Sequence, residues 1–90
     1  MSKVIYKYPV EVSEKTIETP DDAEILSVHT HRDMVCIWAL VDPAKPKVRR
    51  KFFVEPTGIP IKETKMRPKF LGTVFLGEHF VFHVFEDVSL

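Results

Sequence analysis

No stretch of ten or more residues in this chain keeps the 3.6-residue apolar period of an amphipathic helix. The chain is instead cut into short runs rich in Val, Ile, Phe, Tyr and Trp, set apart by seven prolines and three glycines. That composition suits pleated, half-buried surfaces. Val4, Tyr6 and Tyr8 alternate with Lys3 and Lys7 ahead of Pro9, which predicts a strand with one solvated side. A short strand around Ile17 follows, and Thr19-Pro20-Asp21-Asp22 has the form of a helix start, worth one turn at most.

Glu24 to His31 and Met34 to Val41 read as two strands joined tightly at Arg32-Asp33. The second is apolar at nearly every residue, the mark of a strand covered on both faces, and this strand, which holds the only tryptophan, Trp38, is expected at the centre of the core. Val48 to Val54 gives a basic-to-aromatic strand, and Glu55 to Lys69 a long loop. Phe70 to Leu76 and His79 to Phe85 close the chain as a hairpin across Gly77-Glu78. The expected fold is all-β, or β-dominated α+β: one domain over residues 1–90, an antiparallel small barrel or sandwich of about six or seven short strands. So few strands leave edges, and exposed edges invite a partner or a second copy, so a homo-oligomer such as a dimer is expected.

Chemistry is sparse. Cys36 is the single cysteine and lies inside an apolar run, where a thiol behaves as a small hydrophobe. Ser27, Thr57 and Thr73 sit in no nucleophile motif, and no glycine-rich phosphate loop occurs. His29/His31 and His79/His83 each have strand spacing that places two rings on one face, but no third ligand accompanies either pair. No catalytic residue, metal site or cofactor is expected, and the protein is read as a non-enzyme. The amino terminus lacks a signal-peptide core, and Met34–Val41 is far too short to cross a bilayer, so an intracellular protein away from membranes is expected.

The net charge is zero but unevenly spread. Residues 1–44 carry four Lys/Arg against eight Asp/Glu, whereas residues 45–69 carry nine against two. Lys47, Arg49 and Lys51 would share one strand face, with Val48, Arg50 and Phe52 on the other. Lys47, Arg49, Arg50 and Lys51, backed by Lys65 and Arg67, are the expected ligand contacts, with Phe52, Phe53 and Phe70 nearby.

Several blocks occur in a familiar order: Val4-Ile5-Tyr6-Lys7-Tyr8-Pro9, Ile25-Leu26-Ser27-Val28, Cys36 to Pro43, Thr57 to Ile61, Phe70 to Val74 and Phe80 to Glu86. Over residues 3–86 the chain resembles a family of small tailed-bacteriophage proteins known as a domain of unknown function. That family often has a histidine where this chain has Ile59, which weakens any ligand role for the Thr57–Pro60 turn. The resemblance implies a phage protein acting in the host bacterial cytoplasm. With the basic segment, it suggests an accessory binding protein of counter-defence or host takeover. Such a protein would sequester or block an anionic host ligand: a nucleotide signal, a nucleic acid or an acidic protein surface. The alternative is a structural or assembly protein that pairs through an exposed strand edge.

Overall fold

The computed structural model describes residues 2–10, 14–61 and 68–88. Seven strands form two antiparallel sheets: β1 (Val4–Val10), β2 (Glu14–Pro20), β3 (Glu24–His31), β4 (Met34–Val41), β5 (Lys47–Pro56), β6 (Pro68–Leu76) and β7 (Phe80–Asp87). One sheet has the order β1-β4-β3 and the other β2-β5-β7-β6. They pack face to face as a sandwich, a slab with Cα extents of 43 × 32 × 15 Å. No helix is found among the described residues, so none is long and apolar enough to cross a membrane.

Side-chain alternation explains the packing. Val10, Val28, Val35 and Ile37 from the three-stranded sheet meet Ile17, Phe52, Val54, Val74 and Val84 from the other in one buried cluster. The β3–β4 hairpin closes through Arg32 and Asp33, both at positive φ (53° and 61°). A two-residue turn of that hand matches the twist of the strands it joins. β3 and β4 have the bounds expected from the sequence.

Two local expectations are corrected: the expected Glu55–Lys69 loop is shortened at both ends, since β5 runs to Pro56 and β6 starts at Pro68, and the expected helix start does not form. Thr19 and Pro20 end strand β2 rather than start a helix, and the turn falls at Asp21–Asp22, where Asp22 has φ 60°. Pro20 is tolerated because β2 is an edge strand, so a missing N–H breaks no central ladder. Strand β4 lies at the core centre as expected, flanked by β1 and β3. Val35, Ile37, Ala39 and Val41 take the inner face of β4, and parity turns Trp38 outward, half-buried between the rings of His29 and His31 (centroids at 6.1 and 6.5 Å). Cys36 shares that outer parity yet is buried, its Sγ 3.7 Å from the Met34 carbonyl oxygen.

Candidate binding face

On β5 the residues alternate as expected. Lys47, Arg49 and Lys51 are exposed on the outer face of the four-stranded sheet, whereas Arg50 and Phe52 point inward. Lys65 and Arg67 lie outside the described residues. The row of cations does not stand alone. Arg49 Nε is 3.9 Å from Glu18 Oε1, and Lys51 stands opposite Asp87 in the β5–β7 register. An exposed pair at that separation is worth about 0–1 kcal/mol, so Glu18 holds Arg49 only weakly.

Arg50 plays a different part. Its Nε and Nη2 donate to Glu86 Oε2 and Oε1, both at 2.7 Å, and its Nη1 donates to the Ala23 carbonyl at 2.7 Å. The Arg50 and Glu86 side chains are only 19% and 9% exposed. This bidentate pair ties β5 to β7 and the start of β3, and it occupies the guanidinium inside the sandwich. The Tyr8 hydroxyl is buried without a hydrogen-bond partner. Burial first, and then neighbouring Tyr6, push its pKa above the ordinary value, with Arg50 acting in the opposite sense.

Beyond the cations, the same outer face turns aromatic. Phe53 stacks on Phe85 (centroids 5.1 Å apart), and Phe70 meets Phe85 edge-on at 5.6 Å. Phe75 stands opposite Val81 farther along the hairpin. Phe70 and Phe75 are 58% and 66% exposed, a large apolar display for a small domain. Phe52 is fully buried and belongs to the core, so it offers no ring to a ligand. His83 sits amid the band with both nitrogens engaged, Nε2 at 2.7 Å from Thr57 Oγ1 and Nδ1 at 3.0 Å from Thr73 Oγ1. A ring so held pins the Thr57 turn to the sheet.

The other histidine pair does not converge, since His79 lies in the β6–β7 turn. Among the described residues no group of three His, Cys, Asp or Glu side chains is placed to hold a metal ion. The sequence reading missed Phe75, Phe85 and Glu86. The alternation of Phe85 and Glu86 along β7 carried a signal for the face each takes, but nothing local named their partners.

Lys45 pairs with Asp22 instead of joining the cation row, with Nζ donating to Oδ2 at 2.8 Å. That hydrogen bond, and then the ammonium's charge, hold the Asp22 carboxyl below its ordinary pKa, and Lys45 is raised in return. A depressed carboxyl stabilises the fold above its unfolded-state pKa, and the contribution is lost as pH falls through the folded value. A carbon-detected NMR titration should therefore find the Asp22 midpoint below the usual aspartate value, and Lys45→Gln should move it back up. An unmoved midpoint would show that the pair does not persist in solution.

The fold and its outer face define a two-sheet antiparallel β domain with an aromatic band ending in a basic row. The family model described as Domain of unknown function (DUF7352) matches residues 1–89, and the chain belongs to that family. No curated protein and no solved structure matches the chain.

Proposed function

We propose that this protein is a non-enzymatic binding module that blocks a host protein by docking through the outer face of its four-stranded sheet. The setting, taken from the resemblance described above, is a phage accessory protein of counter-defence or host takeover in the bacterial cytoplasm. The observation that carries the reading is that exposed Phe70 and Phe75, with Phe85, share one sheet face with the row Lys47, Arg49 and Lys51. Interfaces have this anatomy: aromatic residues at the centre and charged residues at the rim. A partner with an apolar patch bordered by carboxylates is complementary to it.

Charge separates this reading from nucleic-acid binding. Among the described residues, Lys47, Arg49 and Lys51 share the face with the carboxylates Glu18, Glu55 and Asp87. Binding that depends on releasing counterions from many phosphates needs a net positive face, which these carboxylates remove. A protein partner tolerates both signs at a rim.

The test places a photocrosslinking residue at Phe75 and, as control, at Met34 on the far sheet, in extract of infected cells. The protein captured from Phe75 alone is then purified and titrated. Phe75→Glu and Arg49→Glu should each weaken its binding by about tenfold or more, the scale of a hot-spot contact. Equal capture from both positions, capture of a second copy of the chain, or capture that nuclease abolishes would overturn the reading. The first would mean stickiness, the second edge or face self-assembly, the third nucleic acid.

A further inference from the structure

The side of the sandwich where β3 and β6 meet has a shape that sheet packing alone does not require. At Val28 and Gly72 the two strands touch so closely that a Cβ on residue 72 would overlap Val28 Cγ2. On the N-terminal side of that contact each strand carries a register shift, at Leu26 in β3 and at Leu71 in β6. Bulges bend a strand and increase its twist. The strands part there and leave a cleft of about 540 Å³. Its walls are two continuous runs, residues 22–27 and 69–71, and Arg50 reaches it between them.

Both walls come from edge strands, each hydrogen-bonded to a single neighbour in its sheet. The outer N–H and C=O groups of such a strand are a template for one more strand. Ile25, Leu26, Phe70 and Leu71 supply apolar lining. At the floor Arg50 and Lys69 stand near Glu86, which Arg50 holds bidentately and which lies opposite Lys69 in the β6–β7 register. Asp22 is held by Lys45, and Glu24, the remaining carboxylate of the lining, is in register with outward-facing Leu40 and so belongs to the rim. Among these floor groups two cations face one carboxylate. Arg50, already fixed by Glu86 and Ala23, needs no reordering to meet a second acceptor.

We infer that this cleft is a binding site for an extended peptide segment of another protein, alternately apolar and carrying a carboxylate. The segment adds as a strand along the longer wall, Glu24–Ser27. Its backbone bonds give affinity, its apolar side chains lie over Ile25 and Leu71, and its carboxylate meets Arg50 and Lys69. Phe70 is shared with the aromatic band, whereas the strand wall Glu24–Ser27 and the charged floor belong to the cleft, so failure at the band leaves this site standing.

The probe is a capped heptapeptide of alternating Val and Thr with one central Glu, titrated into the nitrogen-15-labelled full chain. Amide shifts should gather at Ile25–Ser27 and Lys69–Leu71, together with the Arg50 Nε–H signal. A central Lys should weaken binding by about tenfold or more, on the scale of one charge-assisted contact. Methylation of alternate peptide nitrogens should abolish it. Lys69→Glu should reverse the charge preference, and Ile5→Glu, on β1 at the opposite edge of the sheet that holds β3, should change nothing. No shift at about 1 mM peptide, the weak end of measurable affinity, would overturn the inference. So would shifts elsewhere, indifference to the central charge, or the same shifts from sodium acetate alone.

Discussion

Glu86→Ala is expected to remove about 3–5 kcal/mol of folding stability, the usual cost of stranding one partner of a buried ion pair. Glu86 is 9% exposed on its side chain and Arg50 19%, so water reaches the abandoned guanidinium poorly. Domains of this size fold with a margin of about 5–15 kcal/mol, and a 90-residue chain belongs toward the lower end. The variant should therefore show a greatly lowered urea midpoint and a partly unfolded population without denaturant. Replacing both partners, Arg50→Met with Glu86→Leu, should recover most of the loss, because two apolar side chains leave no charge to solvate. A fall of less than about 1 kcal/mol for Glu86→Ala would mean that Arg50 swings out to water. It would then be a free cation rather than a tie between β5, β7 and β3.

Gly72→Ala is the second large effect, and its sign is the informative part. At an ordinary position the change would stabilise slightly, by about 0.4–1 kcal/mol, through the unfolded chain. Here the added methyl meets Val28, a buried and β-branched side chain with little freedom to yield. Overpacking of this kind costs about 1–3 kcal/mol. Val28→Ala alone also destabilises, by opening space in the core. Combined, the two should be less damaging than their separate losses predict, with a coupling of about 0.5–3 kcal/mol measured by urea denaturation. Strict additivity would show that the strands do not touch at this point in solution.

Much of the architecture was legible because period-two alternation survives in single strands. β3 and β4 are bounded by turn residues and match their expected limits, and the parity of β5 separated Arg49 and Lys51 from Arg50. Within β4, parity rather than size decides which side chains enter the core. The β-branched residues of β4 occupy the inner face, and that choice leaves the largest ring outside. Thr19-Pro20 carried a genuine local helix signal, overruled by pairing with Val48 and Lys47 twenty-seven or more residues away.

The aromatic band and the cleft were harder to see. Phe70 and Phe75 fall out of phase unless a bulge is inserted at Leu71, and a single sequence does not announce a bulge. The bond from Arg50 to Glu86 spans 36 residues and depends on the β5–β7 register, which no local pattern encodes.

Of the five strand pairings among the described residues, β3 with β4 and β6 with β7 join neighbours in the chain, whereas β1, β2 and β5 must find partners tens of residues away. Hairpins close within microseconds, while long-range pairings set the slow timescale of such proteins. The contact between Val28 and Gly72 is where these two early hairpins meet. A side chain at residue 72 should then be felt in the refolding time course as well as at equilibrium.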